Sequence, residues 1–267
     1  MGLAYEDPAI SRHTTLIVAN YKSKTVSLIR NDKNIKNIIV GDYPTNLCVY
    51  QGKGYVSHSY KHVSILQDDK KIKEINIGNN PGHFAVYQNK LYAINHVKNC
   101  TLGIVSILQN DQKIQDIKLA DSPSCLINYQ NKLYIGDHHN INIIQGNEII
   151  QKIKLNHTPK NFAIYQDKLY FSNSFSTIVS VLENDKKVQD IEVGLHPSLL
   201  IVYQDKLYVS HWFSNKISIL QDIRKIQEIT FNLVPSAFAV SQGKLYIAHF
   251  MGNKVSVIKK TNIYMIL

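Results

Sequence analysis

Arginine is nearly absent from this chain. Arg12, Arg30 and Arg224 are the whole set, so the formal net charge of +10 rests on lysine. Lysine attracts polyanions but lacks the forked geometry with which arginine reads base edges. Cysteine is scarce too: Cys48, Cys100 and Cys125 are an odd set with no short spacing, which argues against a disulfide framework and a zinc knuckle. No apolar run approaches about 20 residues, so no helix is expected to span a membrane. The first residues, MGLAYEDPAISRH, lack a basic flank and an apolar core, so no signal peptide is expected, and Glu6 breaks the myristoylation pattern. Gly-x-Ser-x-Gly, a P-loop, His-Glu-x-x-His, Cys-x-x-Cys and Gly-x-Gly-x-x-Gly are all missing. These absences point to a soluble, intracellular protein without a familiar catalytic signature. In that setting the sequons at Asn99 and Asn156 are accidents.

Lysine, asparagine and isoleucine are abundant, a bias typical of an A+T-rich genome such as that of an intracellular microbe, a protist or a large DNA virus. The location expected is then cytoplasmic, or virion if the source is viral. At 267 residues the chain is long enough to bury a core without disulfide or metal staples.

The chain is also repetitive. YQGKGY at Tyr50 recurs as YQNKLY at Tyr87 and Tyr129, YQDKLY at Tyr165 and Tyr203, and SQGKLY at Ser241. The spacings are 37, 42, 36, 38 and 38 residues. A proline precedes each copy: Pro44, Pro81, Pro123, Pro159, Pro197 and Pro235. A second phrase, apolar–Ser–apolar, occurs at Val26, Val63, Val105, Val179, Ile217 and Val255. A seventh copy at Ile141, INII, has asparagine for serine. Seven units of about 38 residues are predicted, filling one domain over 1–267.

Each unit reads as strands. A short apolar run follows the proline, then a two-residue turn (Asn-Lys, Asp-Lys or Gly-Lys) and a second run such as LYVS. Glycine at the first turn position suits a type II′ hairpin, and this register sets Tyr165 opposite Tyr170. A third strand carries the serine phrase, a polar turn such as ENDKK follows, and an alternating strand closes the unit. Pro8 is placed in the first strand of unit one, and NIYMIL is read as a short last strand. Four antiparallel strands in about 40 residues predict an all-β fold, a seven-bladed β-propeller.

The second strands end YVSH, YAIN, YIGD, YFSN, YVSH and YIAH, and VGDYP, IGNNP and VGLHP lead into the next unit. The chain resembles the YVTN-repeat family of seven-bladed β-propellers over nearly its whole length, from about Leu16 to Ile258. The resemblance implies the fold. It says little of function, because one fold serves many.

In a propeller, second-to-third loops and blade crossovers share one face. That face receives one residue from the end of each second strand: Asn20, His58, Asn95, Asp137, Asn173, His211 and His249. Trp212, the single tryptophan, and Phe213 follow directly. Other aromatics and histidines gather there, including Tyr21, Tyr60, Phe175, Phe250, His83, His138, His139, His157 and His196. Three readings stand side by side. The strand-end residues cap backbone groups; or they line a pocket for a protein, peptide or small molecule; or His58, His211 and His249 hold zinc or copper. Propeller lactonases and virginiamycin-type lyases use this face, the former with carboxylates on a divalent cation. Here Asp137 is the one acid among the strand ends, with Asp42 and Asp121 in crossovers, so a hard cation would be under-supplied.

The opposite face receives Lys53, Lys90, Lys132, Lys168, Lys206 and Lys244 from the first turns, a ring able to attract nucleic acid or another polyanion. Acidic residues share those turns, and a solvated lysine ring is the plainer expectation. Cys100, near His96 and Lys98, has the surroundings of a reactive thiol, although a bystander role is the simpler one. The expected function is non-catalytic binding, with no cofactor; a metal-dependent hydrolase or lyase is the alternative, and polyanion binding the third.

Overall fold

Each repeat folds into one four-stranded antiparallel sheet, with its strands in chain order. The computed structural model describes residues 4–7, 15–58, 60–95, 102–146, 148–250, 254–259 and 262–266. Among them every regular element is a strand. The seven sheets, or blades, span residues 4–39, 47–76, 81–119, 125–154, 159–192, 197–230 and 235–266. Asn262–Ile266 is indeed the last strand of blade 7, and Ala4–Asp7 is the first of blade 1. Among the described residues, no blade borrows a strand from the other end of the chain. Pro8 lies outside the described residues.

The chain divides into two compact units. Met1–Leu119 with Ser236–Leu267 holds blades 1, 2, 3 and 7; Ala120–Pro235 holds blades 4, 5 and 6. Within each, neighbouring blades pack face to face. Leu16, Val18 and Ile29 of blade 1 meet Ala239, Tyr246 and Val257 of blade 7. Tyr165, Tyr170, Val179 and Val181 of blade 5 meet Leu200, Leu207, Val209 and Leu220 of blade 6. Because a middle strand is covered on both faces, its apolar run is nearly continuous, as in Lys168–Asn173 and Ile178–Glu183. The fourth strand is covered least: Lys186–Glu192 buries Ile191 and exposes most of the rest.

The hairpin turn sits one residue earlier than the spacing suggested. Tyr165 pairs with Lys168, so the turn is Gln166–Asp167, and Tyr170 lies opposite Ala163. Both turn residues have positive φ, 47° and 54°, which makes the turn type I′ rather than II′. Asn, Asp or Gly at its second position tolerates the left-handed conformation, which explains why the repeat varies only among those three there. The two tyrosine rings still meet diagonally, 5.5 Å between centroids.

Candidate functional site

The seven strand-end residues share one arrangement. Each side chain reaches across to the third strand of its own blade and bonds the central residue of the apolar–Ser–apolar phrase. Asn20 Nδ2 donates to Ser27 Oγ (2.7 Å), Asn95 to Ser106 (2.6 Å) and Asn173 to Ser180 (2.9 Å). His58, His211 and His249 place Nε2 at 3.0, 2.8 and 2.7 Å from Ser64, Ser218 and Ser256. In blade 4 the polarity reverses. Asp137 can only accept, and the serine is replaced by Asn142, whose Nδ2 donates to Asp137 Oδ2 at 2.7 Å. The other oxygen of Asp137 accepts from the His139 and Asn140 amides and from Asn140 Nδ2.

The network continues into the fourth strand. Where asparagine ends the second strand, serine donates to a short side chain: Ser27 to Asn37, Ser106 to Asp116 and Ser180 to Asp190. In blades 2 and 6, where histidine stands, the fourth-strand residue opposite the serine is the longer Glu74 or Glu228. Lysine then closes the chain. Lys71 and Lys225 bond these glutamates and also the carbonyls of Val40 and Val193 in the preceding crossover. The two lysines that bond Glu228 hold its carboxyl down at about 2.

Six of the seven strand-end side chains are buried and Asn20 is half-buried. Burial is the main reason the His58 imidazole is pushed down to about 4, and it lowers His211 as well. His211 Nδ1 lies 2.9 Å from the Leu195 carbonyl and so carries the proton, leaving Nε2 to accept from Ser218. The crossover glycines are required by these side chains: a Cβ on Gly41 would overlap the His58 ring, and one on Gly78, whose φ is +126°, would press on Asn95. Among the described residues, no group of three or more His, Cys, Asp or Glu could hold a metal ion.

At the other end of the blades, Lys53, Lys132 and Lys244 are tied down. Each shares an aspartate with the tyrosine two residues on: Lys53 and Tyr55 bond Asp111, Lys132 and Tyr134 bond Asp185, and Lys244 and Tyr246 bond Asp32. The aspartate belongs to the third-to-fourth turn of the adjoining blade. Burial would raise the carboxyls of Asp111 and Asp185, but the bonds from lysine and tyrosine outweigh it and hold them below the usual range. Lys168 pairs with Glu183 at 3.3 Å. Lys90 and Lys206 begin the matching strands of blades 3 and 6. Cys125 is buried, which pushes its thiol up to about 12. His96, Lys98, Asn99 and Cys100 lie outside the described residues.

Trp212 and Phe213 are different from the strand-end residues before them. In the second unit, the loops after the second strands and the crossovers present a strip of exposed rings. Phe213 is 76% exposed, Phe175 79% and Trp212 42%. Trp212 and Phe213 stack in parallel, 5.0 Å apart and 9° from coplanar. Phe175 meets His196 edge-on at 5.7 Å. Lys160 sits over the indole, 5.2 Å from the ring centroid. His138 and His139 stack at the blade 4 end, where Thr158 bonds the His138 carbonyl. Phe175 and Phe213 occupy left-handed backbone, with φ of 55° and 61°. Backbone bonds fix the loops: Trp212 N to His196 O and His196 N to Ser176 O, both 2.8 Å. Trp212 and Phe213 were expected at the site; Lys160 was missed. The signal for it was present, because lysine follows the proline in one repeat only, TPKNF.

No family model and no curated protein matches the chain. Solved structures do. Hydrazine synthase of Kuenenia stuttgartiensis is similar over 96% of this chain and 94% of that one, with 15% identity and a TM-score of 0.80. Virginiamycin B lyase of Staphylococcus aureus is similar over 93% and 92%, with 16% identity and a TM-score of 0.78. The WD40 β-propeller domain of Doa1 is similar over 92% and 89%, with 9% identity and a TM-score of 0.78. At these identities the likeness shows the fold, a seven-bladed β-propeller. The same fold serves proteins named as enzymes and others named as WD40 domains, so the site has to argue for function. No helix of the described residues is long and apolar enough to cross a membrane.

Proposed function

We propose that this chain is a non-catalytic binding propeller of the YVTN-repeat kind, which takes a peptide segment of a protein partner on the strip around Trp212 and Phe213. One observation carries the reading. Phe175 and Phe213 are large, mostly exposed rings held on left-handed backbone, a conformation that costs an L residue roughly 1–2 kcal/mol. Neither ring is buried in the core to offset that cost. Fixed, solvent-facing aromatic side chains of this kind lose little entropy on meeting a ligand and serve as anchors at interfaces.

The reading is tested by selecting short peptides from a random display library on the purified protein. Peptides enriched on the wild type should fail to bind a Trp212→Ala/Phe213→Ala variant of unchanged melting temperature. They should also shift the emission of Trp212, the single tryptophan. Equal binding to the variant would place the site elsewhere.

A metal-dependent hydrolase or lyase would ask His58, His211 and His249 to turn Nε2 away from the serines that now engage it. Metal content measured on protein purified without chelator decides that alternative: near-stoichiometric zinc or copper supports it. Polyanion binding through the lysine ring would compete with the aspartates that hold Lys53, Lys132 and Lys244, and a flat salt response of nucleic-acid affinity would reject it.

A further inference from the structure

We propose that the strip selects acidic segments, in which an aspartate or glutamate stands beside an aromatic or other apolar side chain. The inference rests on the binding reading above and adds the chemistry of the partner. Lys160 places its ammonium over Trp212, and among the described residues no carboxylate pairs with it. Three acids of the second unit are already engaged. Asp137 is buried and accepts four hydrogen bonds. Glu192 accepts from Thr177, and Glu228 from Lys216 and Lys225. The strip therefore offers a cation, the imidazoles of His138, His139 and His196, and flat apolar rings. A ligand that satisfies them brings an anion next to an apolar group.

The geometry favours a peptide over a nucleic acid. A single strand needs a track of cations along its backbone as well as rings on which bases stack. Lys160 is one cation, and the loops flanking Phe175 and Phe213 supply Ser174, Ser176, Ser214 and Asn215. A peptide carboxylate needs one charge partner, and an adjacent apolar side chain fits the Trp212–Phe213 face. The fixed loop backbone keeps both parts in register before the ligand arrives.

The test uses the enriched peptides and three Lys160 variants, each checked for an unchanged melting temperature. Enriched sequences should carry Asp or Glu next to an apolar residue. Lys160→Gln should weaken them roughly 5- to 10-fold, Lys160→Glu further, and Lys160→Arg much less, as expected for one charge-assisted contact at a partly exposed site. Replacing the acidic residue of the peptide by its amide should cost the wild type about as much and Lys160→Gln almost nothing. Enriched peptides without acidic bias, bound equally by Lys160→Gln, would overturn this inference and leave the binding reading standing. If no peptide depends on Trp212 and Phe213, both fall. If oligouridylate shifts Trp212 emission with an affinity that drops steeply with salt, the strip is a nucleic-acid surface and the peptide inference is wrong.

Discussion

Asn142 donates from Nδ2 to Asp137 Oδ2 at 2.7 Å, in the one blade where serine is missing from the third-strand phrase. In the other six blades, an amide or imidazole nitrogen of the strand-end residue meets a serine hydroxyl. The two departures from the repeat in blade 4 therefore explain each other. A carboxylate placed at the strand end needs a donor, and the asparagine amide nitrogen, which can only donate, supplies one.

That pairing makes the first prediction. Asn142→Ala leaves a buried carboxylate oxygen without its donor, so it should cost about 2–3 kcal/mol, against about 1 kcal/mol for a neutral bond of the same kind. Ser256→Ala in blade 7 is the comparison. Chemical denaturation of both variants checks the order; an Asn142→Ala variant no less stable than Ser256→Ala would show that Asp137 does not depend on the Asn142 amide.

Acid should act through His58. Its folded pKa is depressed to about 4 by burial, so the unfolded chain takes up the proton first as pH falls. The stability it confers is complete above the ordinary histidine pKa and is lost between about pH 6.5 and pH 4, up to roughly 3 kcal/mol. His58→Asn keeps a hydrogen-bonding nitrogen next to Ser64, in the arrangement Asn173 makes with Ser180. The variant should match the wild type near pH 8 and be the more stable of the two near pH 4.5. Parallel pH–stability curves for the two proteins would remove His58 as the cause.

Gly41 and His58 are coupled by contact. A methyl group at Gly41 would overlap the imidazole, and overpacking of this kind costs typically about 1–3 kcal/mol. Gly41→Ala should be destabilised in that range. Combined with His58→Ala, which empties the space, it should lose much less than the two single effects together. Strict additivity in a double-mutant cycle would mean that the crossover moves instead of pressing on the ring.

Phe213 should separate stability from binding. Glycine adopts positive φ without penalty, although it loses more entropy on folding. Phe213→Gly should therefore melt within a few degrees of the wild type, while Phe213→Val, branched at Cβ, should lose about 1 kcal/mol or more. Both should lose the peptides that depend on the strip. A large drop in melting temperature for Phe213→Gly would mean that the ring supports the fold rather than a partner.

The amino-acid sequence by itself determined the repeat, the strand count and the all-β class, because a hairpin turn, a proline and an alternating outer strand are local signals set by φ, ψ and side-chain period. Turn type and register escaped it by one residue: YQDKLY fits either a II′ turn at Asp-Lys or a I′ turn at Gln-Asp. The positive φ at both Gln166 and Asp167 and the Tyr165–Lys168 pair decide between them. The sequence also placed the strand-end residues at one end of the blades, yet it could not say whether they face a ligand or the protein. Only the tertiary structure decided which groups they bond within the blade, since Asn20 and Ser27, or His211 and Ser218, meet through the pairing of neighbouring strands. The same holds for the lysines. Lys132 and Asp185 are far apart in the chain and meet because consecutive blades pack face to face. The exposed strip was half legible. Trp212 and Phe213 stood out as exceptions to the repeat, whereas Lys160 acquires its meaning from an indole that belongs to the next blade.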